Sequence, residues 1–149
     1  IYFSAHWCGP CRAFTPTLKE RYATWKKRDK SLSIVFVSLD KDKEAFDEYY
    51  RSMHEDWFAI SFHEDERRRD VNLALNEHRS IPFLMFVDSK TGEVNAKNGR
   101  TVVMKDVNGV DFPWKNYEPP YEPPNVWRRV LTRLLIFAAV FLFIRFYKK

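Results

Sequence analysis

The stretch YFSAHWCGPCRAFTP, residues 2–16, decides the fold of this chain. Its first residues are apolar and are typical of the end of a buried strand. Farther along, apolar side chains recur at helical spacing, which predicts a helix from about residue 8 to residue 27. Cys8 and Cys11 therefore lie at the N-terminus of a helix that directly follows a buried strand.

This position favours redox chemistry at the two cysteines. The free N–H groups and the dipole of a helix N-terminus stabilise a thiolate, so the pKa of the Cys8 thiol is expected below its ordinary value. Cys11, about one turn on, can attack a mixed disulfide on Cys8 and release the reduced product. Pro10 suits a first helical turn, Gly9 keeps the approach open, and Trp7 shields the thiolate and offers substrate a flat face. We assign Cys8 as the attacking thiolate and Cys11 as the resolving thiol.

Two alternatives for the cysteine pair are a zinc site and a structural staple. Zinc needs four ligands, but the chain has no second such pair, and its four histidines have no metal-finger spacing. A disulfide that closes so short a loop constrains the unfolded chain little. We expect no metal, and no cofactor beyond the redox-active disulfide itself.

A second signal is Ile81-Pro82, at the start of an apolar strand over residues 80–87. In a redox fold with this order of elements, such an Ile-Pro bond is usually cis, which costs only about 0.5–1 kcal/mol before proline. A cis bond would place Pro82 against the two sulfurs and free the Ile81 backbone to pair with an extended substrate. The alternative is an ordinary proline of an edge strand.

The rest of the domain alternates strands and helices. The pattern predicts a strand at 32–39, a helix at 43–53 capped by Asp40, a helix at 66–76, and a hairpin of strands at 93–96 and 101–105. This order indicates an α/β fold with a mixed central sheet flanked by helices. Because Ile1 opens inside an apolar run, we expect an N-terminal part of the fold to be missing.

The end of the chain differs in composition. Residues 126–149 carry six basic side chains and no acid, so they account for the net charge of +5, and nucleic acid is not an expected partner. Eighteen residues, 130–147, are uncharged except for Arg133 and Arg145 near the two ends and are mostly apolar, which predicts a transmembrane helix in contact with membrane lipid. An amphipathic helix lying on the membrane is the alternative.

Three segments follow from these patterns. Residues 1–114 form the redox domain and residues 126–149 the C-terminal membrane anchor. Residues 115–125 contain the repeat Tyr-Glu-Pro-Pro, which favours a semi-rigid polyproline II linker.

Residues 1–114 resemble tryparedoxin, a relative of nucleoredoxin in the thioredoxin superfamily. The resemblance rests on residues 2–16 and on four shorter motifs: FDEYY at 46–50, SIP at 80–82, DSKTG at 88–92, and RT at 100–101 leading to DFPW at 111–114. It implies a thioredoxin-like fold and electron transfer from a low-molecular-weight dithiol, trypanothione, to thiol peroxidases or other protein disulfides. It also implies that Trp7, Ile81 and Arg100 line the docking surface.

The sequence favours a membrane-tethered thiol–disulfide oxidoreductase with its redox domain in the cytosol. A lumenal, membrane-bound disulfide isomerase and a thioredoxin-fold membrane adaptor are the alternatives, although an adaptor would not need both cysteines. A lone redox pair suits a reducing compartment. The short apolar core with basic flanks favours the mitochondrial outer membrane over the endoplasmic reticulum.

Overall fold

The computed structural model describes residues 1–53 and 56–117. In chain order, the elements are β1 (Tyr2–Ser4), α1 (Gly9–Arg28), β2 (Val35–Ser38), α2 (Lys43–Met53), β3 (Phe58–Ala59), α3 (Asp65–Leu75), β4 (Phe83–Leu84), β5 (Phe86–Val87), β6 (Val94–Ala96) and α4 (Gly99–Lys105). Among these elements, no helix has the length and the apolar character needed to cross a membrane. The predicted anchor at 126–149 and most of the predicted linker lie outside the described residues.

The central sheet is mixed, as predicted. Its four strands run in the order β3-β2-β1-β4, with β1 parallel to β2 and antiparallel to β4. Both faces of β1 are buried: Tyr2 lies in the larger aromatic core with Phe36, while Phe3 packs on the other face with Val37. Burial on both faces explains why this strand is a continuous apolar run rather than an alternating one.

The prediction of a strand at 101–105 is wrong, and the strand predicted at 80–87 is confirmed as two shorter strands. Residues 101–105 belong to helix α4, because Val102 and Val103 are fully buried in the core and this packing overrides the strand preference of a β-branched run. The hairpin partner of β6 is therefore β5, on the other side of the turn at 88–92. The predicted strand at 80–87 is divided at Met85, whose N–H and carbonyl both pair with Ile1.

Asp40 was expected to cap α2, and this is also wrong. The side chain of Asp42 accepts the Ala45 N–H at 2.8 Å at that helix start. Asp40 is buried instead, next to the cysteine-bearing loop.

The last described turn is closed by Asp106. Its carboxylate accepts the N–H groups of Val110 at 2.8 Å and Asp111 at 2.9 Å, and the indole N–H of Trp114 at 2.7 Å. Its carbonyl accepts the indole N–H of Trp25 at 3.0 Å. Burial by itself would raise the pKa of Asp106, but these hydrogen bonds outweigh burial and hold the pKa below its ordinary value.

Candidate active site

The cysteine pair lies where the sequence predicts, between the end of β1 and the start of α1. Cys8 is the residue that caps α1: its N–H donates to the Ala5 carbonyl at 3.1 Å, and its carbonyl accepts the Arg12 N–H at 3.1 Å. Cys8 and Cys11 form a disulfide, with their Cα atoms 5.2 Å apart. The Cys11 N–H points at the Cys8 sulfur, at 3.2 Å. This N–H is one of the free donors of the first helical turn, so it is placed to stabilise a thiolate on Cys8.

The two sulfurs differ in accessibility. Cys8 is 6% exposed and Cys11 is fully buried. Gly9 and Pro10 are exposed beside them, and a Cβ atom built on Gly9 would meet nothing within 4 Å. An incoming sulfur can therefore approach Cys8 but not Cys11, which supports the two roles assigned from the sequence.

The loop that contains Ile81 and Pro82 packs against the two cysteines. The Ile81–Pro82 bond is cis, which confirms that prediction, and Pro82 is buried. The Ile81 carbonyl oxygen lies 3.9 Å from the Cys8 sulfur, and the Ile81 side chain packs against the small cluster formed by Ala5 and the two cysteines. The backbone of Ile81 is thus beside the accessible sulfur, where an extended substrate would pass.

Trp7 is 59% exposed beside Cys8, and a neighbouring loop holds its indole. The Trp7 Nε1–H donates to the Leu39 carbonyl at 3.2 Å, and the His6 N–H donates to the Asp40 carboxylate at 2.7 Å. The Ser38 hydroxyl donates to the other oxygen of this carboxylate at 2.8 Å. Sequence reasoning missed the contribution of residues 38–40. The signal was available, because the C-terminal ends of parallel strands β1 and β2 meet at one edge of the sheet.

Arg100 lies at the start of α4 and is exposed. Its guanidinium lies over the ring of Phe14, 5.6 Å from the centroid, in a cation–π contact. Phe14 follows Cys11 by three residues on α1. Arg100 therefore flanks the helix that carries the cysteines, one turn beyond the buried sulfur.

A cluster of buried hydroxyl groups lies beneath α1, and sequence reasoning missed it. Thr15 contacts Tyr2 at 2.9 Å and Tyr49 at 2.7 Å, and Tyr49 contacts Ser4 at 2.8 Å. The Thr15 hydroxyl also donates to the Cys11 carbonyl, at 2.9 Å, because a carbonyl oxygen can only accept.

Tyr2 belongs to this hydroxyl cluster and is fully buried. Burial raises the pKa of Tyr2 far above its ordinary value, and the nearby Tyr49 contributes a smaller increase. The phenol therefore stays protonated over the whole range in which a thiol–disulfide enzyme works.

Comparison with known proteins agrees with this geometry. A family model described as Thioredoxin-like matches residues 1–94. The chain belongs to the thioredoxin-like family. Tryparedoxin of Trypanosoma brucei brucei is 35% identical over 116 residues, which cover 78% of each protein. The solved tryparedoxin II from C. fasciculata is 36% identical, with a TM-score of 0.71 over 78% of this chain and 74% of that one.

Nucleoredoxins are also similar in sequence to this chain. Nucleoredoxin of Xenopus laevis is 40% identical over 114 residues, which are 76% of this chain and 27% of the relative. The chain thus spans about a quarter of the length of the nucleoredoxins it matches. These relatives and the cysteine geometry make the described domain a thiol–disulfide oxidoreductase related to tryparedoxin and nucleoredoxin. Within the described residues, no group of three or more His, Cys, Asp or Glu side chains is placed to hold a metal ion.

Proposed function

We propose that the protein is a membrane-tethered, tryparedoxin-like enzyme that passes electrons from a low-molecular-weight dithiol, such as trypanothione, to thiol peroxidases or other protein disulfides. One observation carries the chemistry: an accessible Cys8 caps a helix, and a buried Cys11 lies one turn below it. The attacking sulfur and the resolving sulfur are thereby distinguished by position.

The cycle follows from this arrangement. A donor thiolate attacks the Cys8 sulfur, the Cys8–Cys11 bond breaks, and Cys11 leaves and takes up a proton. The second donor sulfur then attacks the first, which forms the donor disulfide and releases the Cys8 thiolate. Cys8 attacks the substrate disulfide and one substrate sulfur leaves as a thiol. Cys11 next attacks Cys8, so the second substrate thiol departs and the Cys8–Cys11 disulfide forms again. Two electrons and two protons pass from donor to substrate.

The surface around Cys8 suits such partners. Trp7 offers an exposed aromatic face, the Ile81 backbone lies beside the sulfur, and Arg100 adds a cation that can pair with a carboxylate. A solved tryparedoxin II is complexed with glutathionylspermidine. That complex supports a glutathione-derived thiol as the class of donor for this chain.

The donor is tested by coupled turnover of the full chain in mild detergent. Trypanothione with trypanothione reductase and NADPH is compared with glutathione and its reductase, with insulin disulfides as the acceptor. We expect the dithiol to support turnover at least about ten times faster, because its second thiol resolves the mixed disulfide within one molecule. Cys8→Ser is the inactive control. Equal rates with the two donors would overturn the assignment of a dithiol.

The tether is a separate part of the proposal. It is supported by the apolar segment 130–147 with its basic flanks. We place the redox domain in the cytosol, on the mitochondrial outer membrane rather than on the endoplasmic reticulum. Protease added to intact organelles should remove the domain, while residues 126–149 remain in the alkaline-extracted membrane pellet. Full protection of the domain would instead favour a lumenal disulfide isomerase, and loss of the tail on extraction would favour a helix lying on the membrane.

A further inference from the structure

Helix α3 carries three successive arginines, and the middle one is buried. The side chain of Arg68 is 5% exposed, whereas Arg67 and Arg69 are 66% and 67% exposed. Arg67 pairs with Glu64 at the N-cap of the helix, and Arg69 pairs with Asp65 in its first turn. The Arg68 guanidinium lies over the ring of Phe62, 4.5 Å from the centroid. Burying an arginine is costly unless its charge is paired and its donors are used, so the contacts of Arg68 matter.

The Arg68 contacts lead to the loop that follows β2. Its Nη1 donates to the Ser38 carbonyl at 3.0 Å and lies 3.5 Å from the Asp40 carbonyl. Its Nη2 donates to the Asp65 carboxylate at 3.1 Å. One planar guanidinium thus joins α3 to the tripeptide Ser38-Leu39-Asp40.

The carbonyl of the middle residue, Leu39, contacts the active site, and so does the Asp40 side chain. The Leu39 carbonyl accepts the Trp7 indole N–H at 3.2 Å, and the Asp40 carboxylate accepts the His6 N–H at 2.7 Å. Arg68 lies within 3.5 Å of the two carbonyls on either side, those of Ser38 and Asp40. Because the Leu39 carbonyl lies between these two peptide groups, holding them restrains its direction toward Trp7.

We infer that Arg68 is a positioning residue: it holds the Ser38–Asp40 segment so that Trp7 stays in place beside Cys8 to receive a protein disulfide. The inference rests on the proposed disulfide reduction and adds a determinant of substrate docking to it. Arg68 acts through Trp7 and touches no reacting atom. Its loss should therefore weaken the docking of a large substrate and spare the attack of Cys8 on a small one.

The test uses the full chain with two oxidised substrates, insulin and the small aromatic disulfide 5,5′-dithiobis(2-nitrobenzoate). Arg68→Met is expected to raise KM for insulin about 5- to 10-fold, near the effect of one lost neutral hydrogen bond, the one that holds the Trp7 indole. The rate with the small disulfide should stay within about twofold. Arg69→Met, on the same helix but exposed, is the matched control and should match the wild type with both substrates.

A Trp7→Ala background separates positioning from general support. If Arg68 acts through Trp7, Arg68→Met should add less than about twofold to KM for insulin once Trp7 is absent. An equal fold-change in both backgrounds, or an equal loss with both substrates, would overturn the inference. Arg68→Lys keeps the charge but not the planar guanidinium, and it replaces Arg68→Met in the test if that variant does not fold. An unchanged KM for insulin in Arg68→Lys would also overturn the inference. Failure of the wild type to reduce insulin would instead count against the proposed function.

Discussion

Thr15→Val should destabilise the domain by removing the centre of the buried hydroxyl cluster. Valine has nearly the same shape as threonine, so the change leaves packing almost intact and deletes three hydrogen bonds. Two of these join Thr15 to buried phenols and the third ends on the Cys11 carbonyl. A typical buried hydrogen bond contributes about 0.5–1.5 kcal/mol, so the three predict a loss of about 2–4 kcal/mol in the free energy of unfolding. The midpoint of thermal unfolding should fall by roughly 10–20 °C.

The same helix supplies a matched control for this measurement. Thr24, a half-buried residue, makes the same kind of hydrogen bond from its hydroxyl to the carbonyl four residues earlier at 3.2 Å, but this bond is exposed to solvent. Thr24→Val should change the free energy of unfolding by less than about 0.5 kcal/mol. Both variants of the full chain, oxidised and in mild detergent, are unfolded in guanidinium chloride and followed by tryptophan fluorescence. A loss in Thr15→Val no larger than that in Thr24→Val would refute the view that the hydroxyl cluster supports the cysteine helix.

Three further predictions concern the cysteines, the docking arginine and acid stability. Cys11→Ser should trap a mixed disulfide on Cys8, because the resolving thiol is gone; mass spectrometry that locates the adduct at another residue would contradict this order of attack. Arg100→Ala should raise KM for a carboxylate-bearing thiol donor about threefold or more and leave the rate with a small neutral disulfide unchanged; unchanged KM for every donor would remove Arg100 from the docking surface. Asp106→Asn should be less stable than the wild type at pH 7. Because the folded-state pKa of Asp106 is lowered, its charge stabilises the fold above the unfolded pKa of about 3.9, and this contribution is lost as pH falls through the folded value. The difference in unfolding free energy between the two proteins should therefore shrink below about pH 4, and a constant difference would contradict the assignment.

Local sequence was sufficient for the centre of the site. The cysteines, the residues between them and the start of α1 depend on one strand-to-helix junction, and the Ile81–Pro82 loop follows from the order of elements. The first could be predicted because its determining residues are neighbours in the chain, and the second because Ile-Pro opens a strand at that place in the order of a redox fold. The strand predicted at 101–105 failed for the opposite reason, since the burial of Val102 and Val103 depends on distant parts of the core.

The supporting groups could not be found by pattern. Arg68 stands in a run of three arginines that has the composition of a solvated helix face, and only its distance from Ser38 and Asp40 in the fold distinguishes it. The hydroxyl cluster likewise joins Tyr2, Thr15 and Tyr49 from three separate elements. The roles of such residues depend on contacts between segments far apart in sequence, and the periodicity of a single sequence carries no information about these contacts.

The cover over Cys11 has a consequence for the growing polypeptide. The side chains of Leu39 and Ile81 pack on the cysteine cluster, and Ile81 follows Cys11 by seventy residues. A ribosome adds about 5–20 residues per second, so a nascent chain carries both thiols without this cover for roughly 4–14 s. During that interval Cys11 is as open to oxidants and to other thiols as Cys8. The distinction between an attacking and a resolving sulfur is therefore acquired only after Ile81 has been made and has packed on the cysteines.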